Sequence, residues 1–315
     1  MNSKTILNSL AAKIIIFILV INFVLTSFYQ NGFYFDIEFF DTFYIESTFS
    51  NSLIYFSINI LFLIAVIISW SRLITKYKLY EGSKKSVYLI SVLGVAIFPD
   101  LVWRIDLVMT SFLIALLLNS FLGIYNQQNI NKRVFWGAVS CGLSTLLFAP
   151  SFYFFIAFIV GISMIRPFNL KMYLVGFLGL LIPIFYAYSF GYVFEYKFTP
   201  LHILGANLIA IDLNQFNVNH WTTFVLLFFI GGFAYSLLKR AKLVVHTRNQ
   251  ISFIAILFVF SFLLFLLNDH GVFLILLFPA SFFISNMYHQ FQKKWVLDIV
   301  LILFLIMVPL GKHFF

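Results

Sequence analysis

Residues 97–125 read IFPDLVWRIDLVMTSFLIALLLNSFLGIY. A proline-broken helix end leads into Asp100, Arg104 and Asp106, and then into a long apolar run. A run of about 18 or more apolar residues reads as a transmembrane helix, because a helix rising about 1.5 Å per residue needs that length to cross the hydrocarbon. Nowhere else are both signs of charge packed so closely against a membrane-length segment. The stretch reads as the floor of a membrane-embedded site that opens away from the cytoplasm.

Working outward, the rest of the chain is hydrophobic spans and short loops. Of 315 residues, 62% are apolar and 10% charged, against roughly 45–50% and about 25% in a soluble domain. The alternation expected of barrel strands is missing, so the spans are helices, which satisfy their own backbone groups in lipid. No stretch is long and polar enough for a soluble domain, and residues 1–315 read as one all-α, polytopic membrane domain. The single cysteine, Cys141, lies in an apolar span and excludes an intrachain disulfide or a cysteine metal site. The 44 phenylalanines are assigned to lipid contact and packing.

Eleven spans are expected. Lys4 and Lys13 precede the first, at 14–26, which no small-residue cleavage site follows, so it reads as uncleaved. An acidic loop carries Asp36, Glu38, Asp41 and Glu46. The second span covers 53–70, the third enters at Val87 and meets Pro99, and the fourth covers 107–125. Spans five and six, 134–148 and 152–165, are separated only by Ala149, Pro150 and Ser151 and form a tight hairpin. Span seven, 172–193, contains Pro183. After the long 194–220 loop, span eight ends at Lys239 and Arg240, span nine covers 251–267, span ten ends before His289, and span eleven covers 297–310.

The charges orient this plan. With the N-terminus in the cytoplasm, 17 of the 20 basic residues fall on inner loops, leaving Arg104, Lys197 and Lys312 outside. Nine of the 11 acids fall outside, with Glu81 and Asp298 inside. Cytoplasmic loops are enriched in Lys and Arg, so the net charge of +9 reads as membrane orientation, not nucleic-acid binding. The C-terminus is then outside. No internal repeat is visible, which argues against an inverted-repeat transporter.

The outer face collects the candidate chemistry. Asp36 and Glu38 sit just after the first helix, where paired carboxylates can accept a hydroxyl proton or hold a hard divalent cation. The alternative is an acidic loop that only sets topology. Asp100 and Arg104 are four apart and share a face if that segment is helical. Arg104 is the one arginine on the outer face, and its planar fork suits a phosphate; a local salt bridge with Asp100 or Asp106 is the other reading. His202, Asp269 and His270 belong to loops of the same side, without metal-binding spacing, and no metal is assigned to them.

Two resemblances follow from these residues. The Phe98-Pro99-Asp100 element, the Arg166-Pro167-Phe168 turn and the step from Gly179 to Pro183 resemble a family of multi-pass inner-membrane proteins of the Bacteroidota, a likeness that covers most of the chain and carries no activity with it. More remotely, the layout is similar to membrane glycosyltransferases of the GT-C type, which use polyprenyl-phosphate sugars. Asp36 and Glu38 stand where those enzymes place an acidic motif. Pro99 and the run from Asp106 through Phe112 to Ala115 and Leu116 fit their proline and helix-opening aspartate. The chain has no large C-terminal outer domain, a departure from that type.

That resemblance implies a bacterial inner-membrane, cell-envelope protein with a catalytic Asp36 or Glu38. Asp100, Arg104, Asp106, His202, Asp269 and His270 would line the substrate site, and a polyprenyl-phosphate lipid would be the donor. A non-catalytic membrane subunit held by envelope protein partners is the competing expectation, and a transporter or flippase a third. The orientation makes a direct prediction: a reporter active only in the cytoplasm, fused after Phe315, stays silent, and a strong signal would mean the span count is wrong by one.

Overall fold

The computed structural model describes residues 52–79, 84–97, 104–124, 129–165, 169–193, 220–240, 243–267 and 272–290. Among these described residues the secondary structure is entirely helical, without a strand. The helices are α1 (Ser52–Lys76), α2 (Lys84–Ile97), α3 (Ile105–Gly123), α4 (Ile130–Leu147), α5 (Tyr153–Ile165), α6 (Leu170–Val193), α7 (His220–Arg240), α8 (Val245–Leu267) and α9 (Phe273–Gln290). They coincide with the second to tenth expected spans; the first and eleventh lie outside the described residues. Among the described residues, four helical stretches are long and apolar enough to cross a membrane: Ile58–Lys76, Ile105–Gly123, Leu170–Phe190 and Val245–Leu266. Ala149–Ile165, Leu226–Lys239 and Phe273–Tyr288 are shorter apolar helices.

Short connections make successive helices antiparallel, so the bundle has two ends. The N-terminus of α3 and the α4–α5 turn share one, here called the Arg104 end. That turn is tight for a local reason. Phe148 leaves α4 in an extended conformation (φ −144°, ψ 101°), and the chain re-enters a single 3-10 turn at Ala149–Phe152 with Pro150 in its first positions. Ser151 Oγ donates to Ser144 Oγ (3.1 Å), and Ser144 Oγ donates to the Cys141 carbonyl (2.8 Å). The buried hydroxyls thus close on the backbone of α4, as an apolar surrounding requires.

Helix α9 is the axis. Every residue from 272 to 288 is buried, and α9 packs on α1, α2, α3, α7 and α8. A helix that is apolar all round belongs inside its bundle. Helix α3 is a second centre, touching α1, α4, α5 and α9. Between α3, α5 and α8, Phe121 stacks on Phe253 (centroids 3.6 Å apart, 21° between planes) and meets Phe158 edge-on at 6.5 Å. Gly161 makes that triad possible: a Cβ there would sit 2.5 Å from Phe253 and 2.7 Å from Phe121.

Helix α6 is the outermost of the described helices and packs chiefly on α4. It exposes Leu174, Phe177, Leu178 and Phe185, a continuous apolar face suited to lipid. Its contact with α4 is made through small residues. A Cβ on Gly142 would lie 2.6 Å from the Leu180 carbonyl, and one on Gly179 would lie 2.7 Å from the Phe135 carbonyl. In lipid no hydrophobic force draws helices together, so close van der Waals fit must do it. Each atom pair contributes only about 0.1–0.2 kcal/mol, which is why backbone-to-backbone approach along the whole seam matters. Pro183 interrupts α6 and rests on Gly142 in the same seam.

Gly179→Leu is therefore expected to destabilise the protein by about 1–3 kcal/mol, the usual cost of overpacking. Gly231 on α7 has nothing within 4 Å of an added Cβ, so Gly231→Ala should be neutral or stabilising by up to about 1 kcal/mol. Thermal unfolding in detergent micelles measures both; equal effects would remove the seam argument.

Candidate functional site

Helix α3 begins abruptly. Arg104 stands immediately before it with φ −88° and ψ 82°, outside the helical region, and no side chain caps the helix at that position. Asp106 lies in the first turn, where its negative charge meets the exposed N–H groups and the positive end of the helix dipole. From these two positions the side chains meet. Arg104 Nη2 donates to Asp106 Oδ2 at 3.0 Å, and Arg104 Nε donates to Asp106 Oδ1 at 3.2 Å. This is the fork-to-fork geometry of a bidentate pair.

The pair is unequally sheltered. The Arg104 side chain is 48% exposed and that of Asp106 only 14%. Asp106 is thus held against the bundle, with the guanidinium covering it on the outside. The Nε–Nη2 edge, which offers two parallel N–H bonds, is turned onto the carboxylate. A phosphate arriving here would either displace Asp106 from that edge or share the cation with it.

Of the residues expected to form a site, Arg104 and Asp106 are brought together. Asp36, Glu38, Asp100, His202, Asp269 and His270 lie outside the described residues. The expected i,i+4 relation between Asp100 and Arg104 falls outside the described residues; Arg104 itself is not helical, and its described partner is two residues on, inside the helix. Among the described residues no group of three or more His, Cys, Asp or Glu side chains could hold a metal.

The opposite end of the bundle is basic. Helices α1 and α7 end near Lys76 and Lys239, while α4, α6 and α8 begin near Lys132 and Arg133, Lys171, and Arg248. One polar contact there was not read from the sequence. Tyr77 Oη reaches the Asn119 carbonyl (3.2 Å) and its Oδ1 (3.1 Å), and Lys76 Nζ stands 3.5 Å from the same Oδ1. It ties the end of α1 to the last turn of α3. Asn119, a lone amide in an apolar run, was the available signal.

No protein-family model, curated protein or solved structure matches this chain.

A half-exposed ion pair contributes about 0–1 kcal/mol, and an acid in the first turn about 0.3–1 kcal/mol more through the dipole. Asp106→Asn should therefore lower stability by about 1 kcal/mol, more than Arg104→Gln does, with a coupling below about 1 kcal/mol in the double-mutant cycle. Denaturant unfolding of the four proteins reads this. A coupling well above that range would mean the pair is far less solvated than its exposure indicates.

Proposed function

We propose that this chain is a multi-pass protein of a bacterial inner membrane, with about eleven spans, its N-terminus in the cytoplasm and its C-terminus on the outer side. We propose further that it is a glycosyltransferase-like protein of cell-envelope glycan or glycolipid synthesis, similar to the GT-C type. The observation that carries the reading is the placement of Arg104 and Asp106. They stand at the end of the bundle opposite the basic one, at the head of a membrane-length helix. A cation there is positioned for a phosphate at the lipid headgroup level.

In this reading Asp36 or Glu38 accepts the proton of an acceptor hydroxyl as it attacks the donor sugar. These two carboxylates are also the ligands a hard divalent cation would take. Asp100 and Asp106 line the donor site, with His202, Asp269 and His270 from neighbouring loops. Arg104 meets the charge that develops on the departing lipid phosphate, the place where a fixed cation stabilises a transition state most.

A second reading, a non-catalytic membrane subunit of an envelope assembly, is favoured by one observation: Arg104 already spends both N–H bonds of one edge on Asp106. Binding of polyprenyl phosphate to wild type, Arg104→Lys and Arg104→Ala separates the two. A bidentate, charge-assisted contact is worth about 1.5–3 kcal/mol, so Arg104→Ala should weaken binding by about tenfold or more. Arg104→Lys should weaken it too, because the charge remains and the fork is lost. Undiminished binding in Arg104→Ala removes the phosphate role. In a sugar-transfer assay, Asp36→Asn or Glu38→Gln should abolish turnover at unchanged membrane abundance, with Glu46→Gln far milder.

A further inference from the structure

Helix α9 carries Pro279 in its interior. A proline has no N–H to give to the carbonyl four residues back, so the Ile275 carbonyl is left without its usual helix donor. Around this break, α1 and α2 each bring polar side chains that make no hydrogen bond among the described residues. On α1, Trp70 stacks on Phe278, centroids 5.7 Å apart and planes at 13°. It is 1% exposed, and its Nε1 has no acceptor. Ser71 beside it is also 1% exposed, with its Oγ unpartnered. On α2, Ser91 is in the same condition, one turn from Gly94, which is pressed against the Leu277 side chain.

These groups share one depth. Leu277 and Phe278 adjoin Pro279, so the contacts of Gly94 and Trp70 set both of their helices at the level of the proline. The donor and acceptor inventory is mixed: an indole N–H that only donates, two hydroxyls that do both, and a carbonyl that only accepts. A cation would face the indole N–H, and an anion would find no buried basic side chain among these groups. A neutral molecule that donates and accepts satisfies all of them, and water does so with about three bonds per molecule.

We infer that the bundle holds a buried water site at Pro279, shared by Trp70 Nε1, Ser71 Oγ and Ser91 Oγ. The site hydrates the break in the central helix where the protein cannot bond it internally.

The test uses the full chain in lipid nanodiscs. Ser71→Ala and Ser91→Ala each remove a hydroxyl; Ser261→Ala, whose hydroxyl donates to the Leu257 carbonyl at 2.6 Å, is the control. If water is bound, both variants unfold at a lower temperature than the control, because the water and its remaining partners lose a bond. If the site is dry, deleting an unpaired hydroxyl raises the unfolding temperature or leaves it unchanged, and the inference falls. An optical reading is independent of stability. With Trp70 the one remaining tryptophan (Trp103, Trp136, Trp221 and Trp295 replaced by Phe), bound water red-shifts its emission and exchanges its N–H in D2O, and Ser91→Ala shifts the emission to the blue. Blue emission in the parent, unmoved by Ser91→Ala, overturns the site.

Discussion

A helix enclosed on every side within a bundle can carry no side chain that needs bulk water, and α9 meets that demand from Phe273 to Tyr288. Its residues are aliphatic, aromatic or small and hydroxylated, and the hydroxyls turn to the backbone: Ser281 Oγ donates to the Phe278 carbonyl at 2.7 Å. Where α9 does offer a longer polar group, a neighbour answers it, as Asn286 Nδ2 does in donating to Ser236 Oγ at 3.2 Å. Five helices pack on this axis. The shape of the bundle therefore depends on α9 being chemically inert around its circumference, with Pro279 as its one internal interruption.

The other half of the bundle rests on a different constraint. Helices α4 and α6 lie so close that a Cβ on Gly142 or Gly179 would collide with a carbonyl oxygen of the facing helix. Without a hydrophobic force between helices in lipid, affinity is set by how many atoms reach contact distance. The serine and threonine hydroxyls on α4 follow the same logic. Ser140 Oγ and Thr145 Oγ1 return to carbonyls of their own helix at 2.9 Å, so the seam stays small without leaving polar atoms exposed to hydrocarbon.

The Arg104–Asp106 pair combines two roles that electrostatics makes compatible. Asp106 suits the helix N-terminus by its charge, and Arg104 relieves the cost of holding that carboxylate at 14% exposure. The same arrangement leaves a half-exposed guanidinium at the head of a membrane-length helix, on the end away from the basic residues. The proposed phosphate site would therefore use the same guanidinium that holds the structural ion pair.

Run length and charge were enough to read the helices: each described helix falls on an expected span, and the basic residues collect at one end because short loops force alternate directions. The 148–152 turn was legible from its proline. Arg104 and Asp106 stood out because charges beside a long apolar run are rare. Their mutual geometry was not legible, since spacing alone offered Arg104 a salt bridge with Asp100 or with Asp106. Nor did apolar composition say which helix would be central. Helices α6 and α9 are both apolar and both contain a proline, yet one exposes a broad face and the other none. Hydropathy records each residue's preference for lipid over water, and it does not distinguish lipid from a neighbouring helix. That choice is made by the fit of one surface on another, at glycines such as Gly94, Gly142 and Gly161, and only the tertiary structure contains it.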